Sequence, residues 1–155
     1  MRGKQAPKRK ILPDPRYQSE LIAKLINTIM ERGKKTIAQK IVYGAFDFIK
    51  STVNKDPMEV FDEAYKNLSP TVEVKSRRVG GANYQIPIPV RGERQRALAF
   101  RWLIAAASAK KGKPMHKKLA EEIMAAAENQ GDAVRKRADV HRMADANKAF
   151  AHFAR

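Results

Sequence analysis

The stretch VEVKSRRVGGANYQIPIPV, residues 72–90, decides how the rest of the chain is read. Val72, Glu73, Val74 and Lys75 alternate apolar and polar side chains, the two-residue period of a half-buried strand. The period returns at Tyr84, Ile86, Ile88 and Val90. Between the two runs stand Arg77, Arg78, Gly80, Gly81 and Asn83. Glycine and asparagine tolerate positive φ, so the chain reverses here. The reading is an antiparallel hairpin with an arginine-rich, glycine-hinged tip.

Pro87 and Pro89 share a parity, so both missing amide donors fall on one edge of the second strand. Such an edge cannot extend a sheet. The other edge is free to pair with Val72–Lys75. The pattern therefore predicts a ribbon that stays two-stranded. A lone ribbon is marginal in water, so it projects from a larger body or lies against a partner.

The 155 residues suffice for one domain with its own core. The 32 lysines and arginines against 16 acids leave a formal charge of +16. That excess opposes compaction by self-repulsion, and a polyanion is the usual compensating partner. Nucleic acid ranks first and an anionic membrane second. With no cysteine there is no disulfide framework and no thiolate zinc site. No apolar run is long enough to span a bilayer. The basic start MRGKQAPKRKIL has no apolar stretch behind it, so it does not read as a secretory signal.

Residues 1–17 read as a flexible basic arm. They contain Arg2, Lys4, Lys8, Arg9, Lys10 and Arg16, one acid (Asp14) and three prolines that oppose a helix. Residues 18–155 read as one helical nucleic-acid-binding domain. Ser19 is placed to cap a first helix striped by Leu21, Ile22, Leu25, Ile26, Ile29 and Met30, with Gly33 as its stop. Lys34 and Lys35 sit at the turn. Thr36 is placed to cap a second helix striped by Ile37, Ala38, Ile41, Val42, Ala45, Phe46 and Ile49, fading through Asn54. Asp56-Pro57-Met58-Glu59 is the strongest helix start: a cap, a proline at the first helical position and a carboxylate three after the cap. Val60, Phe61, Ala64, Tyr65 and Leu68 stripe that third helix, which lies in an acidic neighbourhood expected to face away from a polyanion.

After the hairpin, a fourth helix is expected from Gly92 to about Ala109. It is apolar nearly all round, which predicts a central helix with Trp102 in the core. Lys110, Lys111 and Lys113 cluster at the following turn with no acid among them. Met115, Leu119, Ala120, Ile123 and Met124 stripe a fifth helix ended at Gly131. Asp132 is placed to cap a sixth, running to Ala149 or beyond. The fold class is mainly α: a six-helix bundle with one protruding two-stranded antiparallel β-hairpin.

No catalytic constellation accompanies this pattern. His116, His141 and His152 have no second ligand at metal-binding spacing. Glu121 and Glu122 are adjacent and point to different sides of their helix. Gly33-Lys34-Lys35-Thr36 echoes the end of a phosphate-binding loop but lacks the upstream glycine and strand. No enzyme, cofactor or metal is expected. Cations at scattered turns suit phosphate contacts, which give affinity rather than sequence reading. A rigid core with a ribbon and an arm suits a folded RNA junction. The alternative is a basic architectural DNA-binding protein.

Four segments resemble one family. KSRRVGGANYQIPIPV (Lys75–Val90) and RWL (Arg101–Leu103) are similar to the hairpin and next helix of the bacterial form of the seventh small-subunit ribosomal protein family. GKKTIAQKIVYGAF (Gly33–Phe46) resembles its second helix and HRMADANKAFAHF (His141–Phe153) its C-terminal helix. The resemblance implies a non-catalytic constituent of the small ribosomal subunit, a primary binder of the 3′ major domain of 16S-type ribosomal RNA that nucleates assembly of the head. It implies a place at the subunit interface near the decoding centre, with the hairpin beside the exit-site tRNA and messenger RNA path. The ninth and eleventh small-subunit proteins are the implied neighbours, and some members bind their own operon message. The implied location is the cytoplasmic ribosome, with an organellar ribosome as the alternative. The RNA-binding candidates are Arg2, Lys4, Lys8, Arg9, Lys10, Lys34, Lys35, Lys75, Arg77, Arg78, Gly80, Gly81, Arg91, Arg94, Arg96, Lys110, Lys111 and Lys113.

Overall fold

The computed structural model describes residues 3, 6–7 and 9–154, so the candidates Arg2, Lys4 and Lys8 lie outside the described residues. The elements run α1 (Glu20–Ile29), α2 (Lys35–Val53), α3 (Pro57–Leu68), β1 (Val72–Val79), β2 (Ala82–Pro89), α4 (Gly92–Ala109), α5 (Met115–Ala127) and α6 (Asp132–Ala146). A 3-10 helix, Lys148–Ala154, follows α6. The mainly α class with one hairpin is as expected from the sequence.

The helix starts follow local chemistry, with three shifts. Asp56 caps α3: its Oδ1 accepts the Met58 N–H at 3.1 Å, and Pro57 takes the first helical position. Ser19 occupies the cap of α1, but its side chain makes no cap bond. Its carbonyl instead accepts the Asp14 and Ala23 N–H groups, each at 3.2 Å. Thr36 is not the cap of α2. Gly33 turns the chain at φ +74 and the helix begins at Lys35, leaving Lys34 at the cap. In the same way Gly131, at φ +93, is the cap residue of α6 and Asp132 is its first-turn acid.

The core is joined by rings. Tyr17 meets Phe46 at 5.1 Å between centroids, Phe46 meets Phe61 at 5.5 Å, and Phe100 lies 6.4 Å from Phe61 and 5.9 Å from Tyr65. These contacts tie the segment before α1 to α2, α3 and α4. Each fully buried aromatic contributes roughly 1.5–3 kcal/mol by transfer from water. Tyr17 is held there from below. Asp14, only 2% exposed, accepts the N–H groups of Arg16 and Tyr17 and the Tyr43 hydroxyl at 2.7 Å. Arg16 then clasps Asp47 with both terminal nitrogens, at 2.6 and 3.2 Å. Burial, reinforced by the Asp14 hydrogen bond, pushes the Tyr43 phenol up to about 12.

The central helix is α5, not α4. It packs against α2, α3, α4 and α6, with Leu119, Ala120, Ile123 and Ala126 fully buried. On α4 the buried arc holds Leu98, Ala99, Phe100, Leu103, Ala106 and Ala107. Ala97, Arg101, Ala105 and Ser108 remain exposed on its other side. Alanine there is apolar yet too small to demand cover, which is why an all-round apolar count overstates burial. Trp102 is half-buried rather than core. Its indole is too large for full cover beside the arc's edge.

Asn67 and Arg137 stitch α3, α5 and α6. Asn67 donates to the end carbonyls Ala126 and Ala127 at 2.9 and 3.0 Å, and Arg137 donates to the Asn67 carbonyl. Orphan carbonyls at a helix end are thereby satisfied by a side chain. The last helix is shorter than its sequence pattern predicts. It stops at Ala146, and residues 148–154 tighten into the 3-10 turn that lays Phe150 and Phe153 on the ribbon.

Candidate nucleic-acid interface

The ribbon is longer than its alternating segments. Val72 pairs with Pro89 and the register continues without a slip to Val79 opposite Ala82. Only Gly80 and Gly81 form the turn, at φ +58 and +91, so Arg77 and Arg78 stand on β1 rather than in the tip. A two-residue turn with both φ positive matches the twist of paired strands and requires glycine-like residues. The Val90 N–H donates to the Thr71 carbonyl at 2.9 Å. By alternation, residues of its parity face β1, so Pro87 and Pro89 face the outer edge. The blocked edge is where the prolines predict it.

The inward face of β1 is the reverse of the one its apolar residues suggest. Glu73 is 6% exposed, whereas Val72 and Val74 are only half-buried. The reason is the register: Glu73 lies opposite Ile88 and Lys75 opposite buried Ile86, so they share the face that turns to the body. Arg94 at the start of α4 reaches Glu73 at 2.7 Å, and Lys75 reaches it at 3.3 Å. Burial pushes the Glu73 carboxyl up, but the Arg94 and Lys75 hydrogen bonds outweigh it and hold the group below the usual carboxylate range. His141 on α6 accepts the Thr71 N–H at 3.3 Å, and burial, aided by Arg137, lowers its pKa. The ribbon thus has a rooted base and an exposed outer half.

A strut braces that outer half. Tyr84 packs on Phe150 at 5.0 Å and Phe153 at 5.6 Å, and Arg77 donates to the Phe153 carbonyl at 2.8 Å. Arg78, on the opposite face from Arg77, is exposed near the turn.

A furrow runs from the ribbon root along α1 and α4. Its first hollow, about 180 Å³, is lined by Lys24 and Thr28 of α1 and Glu93, Arg96, Ala97 and Phe100 of α4. The second shares Thr28 and Ala97 and adds Arg101, Ile104 and Ala105. The third shares Ile104 and reaches Ser108, Lys34 and Met115 at the far end. The 18 residues of α4 span about 27 Å. Lys24, Arg96, Arg101 and Lys34 thus punctuate a path between two basic ends, with Glu31 and Glu93 as the acids along it.

The structure divides the sequence candidates. Arg94 and Lys75 meet at the root through Glu73, with Arg91 exposed just before α4, whereas Arg96 turns into the furrow, where it is half-buried and its Nε is buried without a hydrogen-bond partner. Lys34 and Lys35 are exposed at the far end, where the α4–α5 turn with exposed Lys111 also lies. Gly80 and Gly81 form the ribbon turn, and Arg9 and Lys10 are exposed on irregular chain before Asp14. Among the described residues the internally engaged candidates include Arg94 and Lys75 with Glu73, Arg77 with the Phe153 carbonyl, Lys110 with Glu122 at 2.7 Å, and Lys113 with Glu121 at 2.5 Å. Lys24 was legible only as a polar position on an amphipathic helix. Arg101 falls seven residues after Arg94 on α4, but Arg94 turns to Glu73, so that spacing does not reveal the furrow.

These features define a class: a strongly basic, mainly α protein whose cations line a furrow and a braced ribbon. The sequence profile of the ribosomal protein S7p/S5e family matches residues 1–148. The chain is 60% identical over 153 residues to small ribosomal subunit protein uS7 of Thermotoga neapolitana, covering 99% of each chain. It is 57% identical over 152 residues to the protein of that name in Dechloromonas aromatica, covering 98% of this chain and 97% of the relative. The chain belongs to the ribosomal protein S7p/S5e family. It is accordingly a structural constituent of the small ribosomal subunit and not an enzyme.

Proposed function

We propose that the chain binds small-subunit ribosomal RNA directly, as a primary binder of the 3′ major domain that nucleates assembly of the head. The furrow between α1 and α4 carries this reading. Lys24, Lys34, Arg96 and Arg101 line it, Arg91 and Lys35 flank its ends, and its length suits a run of phosphates on a folded RNA. Phosphate contacts of this kind position a protein on RNA shape rather than on base sequence. The ribbon, with exposed Arg78 near its turn, reaches toward the exit-site tRNA and the messenger path at the subunit interface near the decoding centre. The ninth and eleventh small-subunit proteins are its neighbours, and the same surface serves an operon message where that control operates. Exposed Arg9 and Lys10 extend the phosphate contacts along the arm.

The test is competition. A transcript of the 3′ major domain should hold the protein against excess duplex DNA, with affinity falling steeply as salt rises. Equal displacement by DNA and RNA would favour an architectural DNA-binding role instead.

A further inference from the structure

The fifth helix contains a carboxylate with no exposed surface. Glu122 is 0% exposed, on the helix that packs against most of the bundle. Its Oε1 accepts the Ala133 N–H in the first turn of α6 at 2.9 Å. Its Oε2 lies 2.7 Å from Lys110 Nζ, an ion pair off the hydrogen-bond direction. Gly131 crowds the same group: a Cβ there would stand 2.8 Å from Oε1. One side chain therefore meets the end of α4, the loop before α6 and the start of α6.

A buried carboxylate is costly unless paired, so the lysine that answers it is committed. The Lys110 side chain is 30% exposed, whereas residues 111–114 of the same turn are all exposed. Its neighbour Lys111 is exposed and has no carboxylate partner among the described residues. Lys113 pairs with Glu121, a contact with more than half of the lysine in water and therefore easily exchanged.

We propose that Glu122 is the positioning residue of the α4–α5 turn, that Lys110 is its fixed counter-charge, and that Lys111 is the lysine this turn offers to phosphate. The adjacent lysines of one basic run thus divide between holding the turn and using it. The assignment to phosphate rests on the function proposed above; the pairing of Glu122 with Lys110 stands independently of it.

The experiment compares full-length Lys110→Met, Lys111→Met and the double variant Glu122→Gln with Lys110→Met. Each is melted thermally and titrated with a 3′ major domain transcript across a salt series. Lys110→Met should lower Tm by roughly 5–10 °C by stranding the carboxylate, and Glu122→Gln should restore much of it, since the amide keeps an acceptor without the charge. The slope of log affinity against log salt should stay at the wild-type value in the double variant, which also serves if Lys110→Met alone fails to fold. Lys111→Met should leave Tm unchanged and reduce that slope by about one phosphate contact. A slope lost with Lys110 as it is with Lys111, or no rescue by Glu122→Gln, would overturn the proposal. A wild-type protein that binds the transcript no better than DNA would instead overturn the RNA reading, leaving the rescue to decide the pair.

Discussion

Arg94 closes on Glu73 across the root of the ribbon, with Nε and Nη2 lying 2.8 and 2.7 Å from the same carboxylate oxygen, Oε2. The arginine is the third residue of α4 and the glutamate the second of β1, so this contact joins the ribbon to α4 beside the packing of β1 on α6. A strand with an inward carboxylate is unstable without such a partner.

This contact makes the root acid-sensitive. The Glu73 carboxyl is held below its ordinary value of 4.5, so its contribution is fully present above that value and is lost as pH falls through the folded pKa. Urea melts at descending pH should show a decline below about 4.5 that Glu73→Gln flattens. Arg94→Ala should cost about 1–2 kcal/mol at neutral pH, after allowance for screening of a side chain that is 47% exposed. An acid limb identical in wild type and Glu73→Gln would remove the root from this account.

Gly131 is required twice over. Its φ of +93 is a left-handed conformation, and a Cβ would meet Glu122 Oε1 at 2.8 Å and the Ala125 Cβ at 3.2 Å. The carboxylate is pinned by the Ala133 N–H and is buried, so it has little freedom to yield. Gly131→Ala should therefore destabilise by about 2–4 kcal/mol, combining backbone strain with overpacking. Gly112, at φ +80 with nothing within 4 Å, is the control, and Gly112→Ala should cost only about 1–2 kcal/mol. Denaturant midpoints at fixed m would separate the two.

The helices and the ribbon were legible because each rests on local signals. The Asp56-Pro57 start, the stripes of α1, α2 and α5, and the glycine pair at the turn depend on neighbours in sequence. What escaped depends on distant residues. The inversion of β1 follows from its register against β2, and Arg94, 21 residues away, donates to the Glu73 that this register turns inward. The engagement of Lys110 follows from Glu122, whose adjacency to Glu121 predicts opposite directions but not which one is buried. Of the candidate cations, the sequence revealed the basic turns. The furrow that links them arises only when α1 lies beside α4.

The C-terminal strut should hold the outer ribbon in place. Tyr84 contacts both Phe150 and Phe153, and these rings lie 6.5 Å apart in a stacked arrangement. Aromatic pairs of this geometry contribute about 0.5–1.5 kcal/mol beyond their burial. Tyr84→Ala should speed amide exchange in Lys75–Tyr84 while leaving Ile86 and Val90 at the buried root protected. Global stability should fall by only about 1 kcal/mol, because the bundle core is untouched. Exchange that rises uniformly through β1, β2 and α4 would mean that the strut supports the bundle rather than the ribbon.

Arg78 is the sharper probe of what the ribbon touches. Arg77 already donates to the Phe153 carbonyl, so Arg77→Ala would change the strut as well as the charge. Arg78 shares a face with Ser76 and half-buried Val74, away from that contact, and is exposed. Arg78→Ala should leave thermal stability within about 0.5 kcal/mol of wild type. If the ribbon lies along RNA in the assembled subunit, the variant should bind assembled subunits more weakly and with a salt slope reduced by about one. Its affinity for an isolated 3′ major domain transcript would change less, because the furrow at α1 and α4 supplies those contacts. Equal losses on the transcript and on the subunit would place Arg78 on the primary RNA site instead, and no loss on either would leave the ribbon free of RNA.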